Sequence, residues 1–407
     1  MSGSRIRSAQ RSLQLWLMVG VAVGSVSGLF LGKDSPILRE ASTLFLNLLM
    51  TTIAPLVFTS VAAAISKLAS GHLLRRSLVT VGALVVLGGV SASLVTVLTI
   101  NIVGVPHFDL RLSDYTDPRI NQDSHFSVSS MLSAPSFIDL FSISHLVPLV
   151  IASIIVGLAI TAVGEAGRPL TTLLQSGATV MNQIVSYVMV LAPVGVGAYF
   201  GIFFATIGSG AISGVLWAIG ISAAACVVFL LGYSTVLAGY ARGGEGIRAF
   251  WRVMGPPAIL AAGSCSSSAC IPCNTMAATA AGIRSEIRDL VIPLGASLHK
   301  SGYVIGQIVK CYVAFAIAGR TMGISELVIC VAIAILSAVA VGTVPTGGFI
   351  GEIMLSSAFD FGPDILALLV ALGTIADPFY TVVNVTTDIP CAMVAERLVA
   401  RGEERLP

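Results

Sequence analysis

From Ile212 to Tyr240 the chain carries no Asp, Glu, Lys or Arg, and it repeats this behaviour from end to end. Leu13–Leu31, Ala41–Ile65, Ser77–Val105, Leu146–Val163, Ala192–Ile207, Leu290–Ala318 and Ile365–Val399 are comparable apolar runs, the last two interrupted by a few ionisable side chains. A helix needs roughly 20 apolar residues to cross a bilayer, so each run is long enough or nearly so. Hydrocarbon offers no water to an unpaired backbone group, which leaves helices as the spanning elements for runs of this kind. With 56% hydrophobic and 10% charged residues, a soluble globular chain is excluded. The expectation is an all-α polytopic membrane protein.

Leu13–Leu31 follows Arg5, Arg7 and Arg11 as a signal peptide would. It is too long for a signal core and runs into Gly32–Lys33–Asp34 rather than a small-residue cleavage site, so it reads as the first span. With the N-terminus inside and sides alternating, 15 of the 22 basic residues fall in the cytoplasm and five outside; Lys300 and Lys310 lie within apolar segments. That asymmetry satisfies the positive-inside rule and puts both termini in the cytoplasm. All seven cysteines sit in apolar segments, so no disulfide framework is expected. Cys265, Cys270 and Cys273 with His299 match no metal-binding spacing and read as small packing residues. No nucleic-acid partner is indicated; the partners expected are lipid and a small molecule.

Pro106 to about Ser144 is polar and reads as an outer loop without chemistry. Arg168–Ile207 is too long for one straight crossing, with Pro193 as its irregularity. After a basic loop, Arg242–Arg252, the character changes. Ala258–Gly282 is interrupted by Gly263, the serines 266–268 and Pro272. Leu327–Ala358 is interrupted by Gly342–Thr343–Val344–Pro345–Thr346–Gly347–Gly348. Each is followed by a full-length segment with polar residues at mid-depth. Two broken hairpins entering from opposite faces mark an inverted repeat with a binding site at the midplane.

On a helix, Asp377, Tyr380, Thr381, Asn384 and Asp388 share one face. Carboxylates on a membrane helix need cations: a substrate ammonium, a metal ion, a proton, or Lys300. A hydrolase built on a serine near His299 finds no support, because nothing marks one serine above its neighbours. The chain is not read as an enzyme, and no cofactor is expected beyond sodium or a proton as coupling ion.

From about Ser264 to Val394 the chain resembles the dicarboxylate/amino-acid:cation symporter family, the glutamate-transporter homologues. The resemblance rests on the serine run with Pro272, on Ile292–Pro293–Leu294–Gly295–Ala296, on Val344–Pro345–Thr346–Gly347–Gly348 and on Asn384–Val385–Thr386–Thr387–Asp388. It implies a homotrimer in the cytoplasmic membrane, with eight transmembrane helices and two re-entrant hairpins working as an elevator. Residues 1–76 and 106–208 would form the scaffold. The transport domain would take helix 3 (77–105) and 209–407, with hairpin 1 about 258–282, helix 7 about 290–318, hairpin 2 about 327–358 and helix 8 about 365–399. The resemblance further implies that Ser266, Ser267, Ser268 and the tip Val344, Pro345, Thr346, Gly347 and Gly348 cradle a substrate carboxylate. Asp377 would take the amino group, with Tyr380, Thr381 and Asn384 beside it. A sodium site, if one survives, would use Gly295, Asn384 and Asp388.

Two departures qualify these expectations. The positions where acid-binding members carry arginine hold Cys265 and Tyr380, which favours a neutral amino acid over an acidic one. The family's Asn–Met–Asp–Gly–Thr motif is replaced by His299–Lys300–Ser301–Gly302–Tyr303. Sodium wants oxygen ligands, so Lys300 is read as a tethered cation near Asp388, with His299 and Ser301 in the same coupling cluster. Transport is then proton-coupled or sodium-independent. The alternatives are a sodium-coupled acidic amino acid or dicarboxylate symporter, and a non-transporting sensor or anion-conducting pore.

Overall fold

The computed structural model of the protein describes residues 16, 19, 20, 22–32, 34–66, 72–104, 133–142, 145–207, 210–341 and 349–403. Among these, all regular structure is helical. Four stretches are long and apolar enough to cross a bilayer: Val79–Val103, Pro148–Val188, Ser213–Val253 and Leu368–Leu398.

One group of helices gathers around α2 (Pro36–Ser66), after α1 (Ala22–Leu31). Helix α3 (His72–Val103) turns away to the other group, and α4 (Leu146–Val163), α5 (Arg168–Val188) and α6 (Ala192–Ile207) pack on α2. The long stretch 168–207 bends where Met189–Leu191 form a single 3-10 turn, and Pro193 opens the next helix rather than kinking one. Helix α1 lies directly on α6. A methyl group at Gly24 or Gly28 would overlap the backbone of Gly197 or Gly201, so the four-residue glycine spacing is what lets the two backbones touch.

The second group is centred on α12 (Ser301–Ile317), nearly every residue of which is buried. A helix apolar around its whole circumference belongs in the interior, and α12 is packed by α3, α7 (Gly210–Phe229), α13 (Ile324–Val341), α14 (Phe349–Phe359) and α15 (Pro363–Thr386). Leu230–Ser234 form a π-helical turn between α7 and α8 (Thr235–Val253). The basic stretch expected as a loop is helical for most of its length. α8 is interrupted at Arg242 (φ −143°, ψ 22°) and Gly243 (φ 61°, ψ −147°), whose backbone is not helical, and resumes as a second helical piece that ends at Val253. The kink sends the Arg242 guanidinium to the carbonyls of Ala281 and Gly282 and to Glu396, so a loop's worth of charge serves as a clamp.

The first interrupted segment is two helices, α9 (Gly255–Ser264) and α10 (Ser267–Ala280), packed on each other. The break falls at Cys265–Ser266 alone: Cys265 is left-handed (φ 46°), Ser266 is extended, and Pro272 sits inside α10. A left-handed non-glycine residue is uncommon and marks a constrained turn. The second interrupted segment is α13 and α14; its tip, with Val344, Pro345, Thr346, Gly347 and Gly348, lies outside the described residues.

The segment expected as one helix over 290–318 is also two. α11 (Ser285–Leu298) ends at His299 (φ −91°, ψ 94°), and α12 starts after Lys300 (φ −122°, ψ 50°). The last run is α15 followed, after Thr387, by α16 (Asp388–Glu403).

Candidate functional site

Two non-helical residues, His299 and Lys300, separate α11 from α12 and leave the first N–H groups of α12 without helical partners. Asn384, from the last turn of α15, supplies the cap. Its side-chain oxygen accepts the Gly302 N–H at 2.8 Å and the Tyr303 N–H at 3.4 Å. The oxygen expected at a substrate or sodium site is therefore committed to the backbone.

The same break delivers His299 into the interior, 2% exposed. Its Nδ1 lies 3.3 Å from Asp388 Oδ1 and 3.3 Å from Thr387 Oγ1, and its Nε2 lies 3.2 Å from Ser301 Oγ. Thr387 donates its hydroxyl proton to the Val383 carbonyl at 2.6 Å, so its oxygen is left to accept. Nδ1–H directed at Asp388 and Thr387, with Nε2 accepting from Ser301, satisfies the neutral ring. Protonation adds an N–H at Nε2, which rotation of the Ser301 hydroxyl accommodates without moving a heavy atom.

The Tyr233 ring, set in the π-helical turn, stacks on the imidazole at 6.4 Å between centroids, and the Cys391 sulfur lies 3.9 Å from Nε2. Two glycines make the room. A Cβ at Gly88 of α3 would lie 2.6 Å from Ser301 Oγ and 2.8 Å from His299 Nε2. One at Gly295 would overlap the Asp388 carboxylate.

Lys300 takes another partner. Its ammonium donates to Ser267 Oγ at 2.8 Å, in the turn of the α9–α10 pair, within electrostatic reach of Asp388 and Asp377. Lys300, expected as a tethered cation near Asp388, lies within electrostatic reach of that carboxylate, while the side chain in direct contact with it is His299. The non-helical backbone at these two residues gives the neighbouring side chains different partners, Asp388 for His299 and Ser267 for Lys300.

The serines divide similarly. Ser266 caps α10 by accepting the Ala269 N–H at 3.3 Å, Ser267 holds Lys300, and Ser268 is exposed. On α15, Asp377 is half-buried and accepts the Thr381 hydroxyl at 3.1 Å. Tyr380, next to Thr381, is buried: its backbone lies against Gly302 and its ring against Gly306, with its hydroxyl 2.8 Å from Ser222 of α7.

The structure thus brings together Gly295, His299, Ser301, Asn384 and Asp388, with Lys300, Ser267, Asp377 and Thr381 alongside. Gly88, Tyr233, Thr387 and Cys391 escaped the sequence reading; the last two continue the Asn384–Asp388 face at helical spacing, which is the signal that could have found them. Also missed is a buried ion pair, Lys310 with Glu352. Two ionisable residues in apolar segments were its signal.

As a sodium site the oxygen set fits poorly. One Asp388 oxygen faces imidazole, the Asn384 oxygen takes two N–H groups, and the family's second carboxylate is Ser301. Asp388 Oδ2 is buried without a hydrogen-bond partner among the described residues and is the carboxylate oxygen left for a ligand.

The family described as sodium:dicarboxylate symporter matches residues 13–398. A C4-dicarboxylate transport protein of Brucella anthropi is 24% identical over 97% of this chain and 90% of its own. A proton/sodium-glutamate symport protein of Geobacillus stearothermophilus is 23% identical over 94% of this chain and 92% of its own. One of the same description from Bacillus subtilis is 24% identical, covering 94% and 91%.

Proposed function

The chain belongs to the sodium:dicarboxylate symporter family, and on that premise we propose that it carries a small neutral amino acid across the cytoplasmic membrane, driven by protons or by exchange rather than by sodium. The observation that carries this reading is the imidazole of His299 set against Asp388, where the resemblance implies a metal ion. A proton on His299 supplies the positive charge that sodium would otherwise bring.

Charge balance supports the substrate class. Asp377 and Asp388 contribute two negative charges and Lys300 one positive. A zwitterion adds none, so one proton on His299 leaves the loaded site neutral. A dicarboxylate adds two negative charges with no arginine to hold them, and uncompensated buried charge is costly. The substrate ammonium pairs with Asp377. Its carboxylate lies toward Lys300 and the serine turn, which ties Lys300 to substrate binding as well as to charge balance.

The working architecture proposed is the family's: a homotrimer of eight spans and two re-entrant hairpins, termini in the cytoplasm. Residues 1–76 and 106–208 form the scaffold, and 77–105 with 209–407 form the moving transport domain.

A second reading has support of its own. The relatives are described as transporting C4-dicarboxylates or glutamate, and the Lys300 ammonium at the serine turn offers one partner for a second carboxylate.

Thermal melting of the purified protein with neutral amino acids, acidic amino acids and C4-dicarboxylates, each in sodium and in choline at two pH values, separates the two. A ligand that binds the folded state raises the melting point by mass action, about 2.7 kcal/mol at a hundredfold excess over Kd. The expected result is a rise with a neutral amino acid in choline. A rise confined to dicarboxylates in sodium overturns the proposal.

A further inference from the structure

Away from the His299 cluster, α12 carries a second cation. Lys310 is 2% exposed and its ammonium donates to Glu352 of α14, whose side chain is wholly buried. The ammonium also lies 5.3 Å from the centroid of the Tyr303 ring, about two turns back along α12. The Tyr303 hydroxyl accepts the Gly351 N–H at 3.0 Å, fastening the start of α14 to α12 beside the pair. The third wall is α15 at Gly373. A Cβ there would lie 3.0 Å from Glu352 Oε1 and 3.3 Å from Lys310 Nζ, tighter than packing ordinarily allows. The other groups facing the pair are Gln307 on α12 and, at longer range, Asp377 on α15. Glu352 Oε2 is buried without a hydrogen-bond partner.

A carboxylate enclosed by three helices, with an aromatic face and an unmatched oxygen, is a cation position, and here the cation is part of the chain. We propose that the Lys310 ammonium fills a small monovalent-cation site at Glu352 from within. Docking of the α13–α14 segment onto α12 then requires no dissolved ion at this point. The pair positions the second interrupted segment and touches none of the residues assigned to substrate. A buried carboxylate without its cation is strongly unfavourable, so removing Lys310 leaves a vacancy that a dissolved cation fills.

The test needs no substrate, so its outcome is independent of what the protein carries. Purified full-length wild type, Lys310→Met, Glu352→Gln and the double variant are melted in choline, sodium and potassium chloride at equal ionic strength, at two pH values. Lys310→Met is expected to melt lowest in choline and to gain about 2 °C in sodium or potassium at roughly ten times the site's Kd. That gain should exceed any salt response of wild type and vanish in the double variant. The proposal is overturned if Lys310→Met is lowered equally in all three salts, or if the gain survives in the double variant. A gain on acidification alone also overturns it, since Glu352 is then a protonation site and not a site for a metal ion. Where Lys310→Met does not fold, Lys310→Gln goes through the same salts. Failure of both in every salt, with the double variant folded, overturns the proposal as well.

Discussion

His299 and Tyr380 show how far a residue's role departs from its place in a motif. Both stand where the family resemblance implies ligand contacts. One becomes the hub of a buried cluster, and the other is buried with its hydroxyl on Ser222. If imidazole takes the place of an ion, restoring oxygen ligands should restore the ion. His299→Asn combined with Ser301→Asp is expected to make the melting point rise with sodium relative to choline, where wild type shows no such rise at the His299 cluster. An unchanged sodium response in the double variant would count against the displacement. Tyr380→Phe removes one hydroxyl partner of Ser222 and is expected to cost about 1 kcal/mol of stability. Substrate affinity, measured by calorimetry, should be unchanged; a tenfold loss would put Tyr380 in the binding site.

Among the elements, the residues of the candidate site collect where helices stop. The break at Cys265–Ser266 exposes the serine turn, the break at 299–300 gives two neighbouring cations different partners, and the π-helical turn brings Tyr233 onto His299. Each interruption frees backbone groups that something must satisfy: Ser266 caps α10, and Asn384 caps α12 from a distant helix. The contact between α1 and α6 is the opposite case, two uninterrupted helices whose glycines let backbones meet. Gly28→Val forces them apart and is expected to cost about 1–3 kcal/mol, read as a lower melting point in detergent. Gly32→Ala, at a position with no neighbour within 4 Å but a φ of +76°, isolates backbone strain from crowding. If Gly28→Val loses no more stability than Gly32→Ala, close backbone contact is not what holds α1 in place.

For the whole molecule, a charged clamp ties distant elements together. Glu396 of α16 receives Arg242 from the kink in α8 and the backbone N–H of Arg284 at 2.8 Å, so three elements meet at one carboxylate. Those arginines belong to the side that the positive-inside rule assigns to the cytoplasm. A C-terminal fluorescent-protein fusion, which matures in the cytoplasm, is therefore expected to be bright, and an alkaline phosphatase fusion at the same point inactive. The reverse pattern would invert the orientation and put the mouth of the α9–α10 pair on the outer face.

The sequence by itself determined that the chain is helical and membrane-embedded, that its family is that of sodium:dicarboxylate symporters, and that a helix is interrupted near residue 265. Those conclusions rest on local or compositional signals: long apolar runs, glycine and proline placement, and ordered motifs. It also placed Asp377, Thr381, Asn384 and Asp388 on one face, because helical periodicity is a local property. Only the tertiary structure decided which partner each group takes. That His299 rather than Lys300 meets Asp388 depends on two backbone dihedrals at the break. That Asn384 caps α12, and that Lys310 finds Glu352, depends on helices far apart in the chain arriving side by side. A buried polar group must be satisfied, but its residue type does not say by whom. Packing makes that choice.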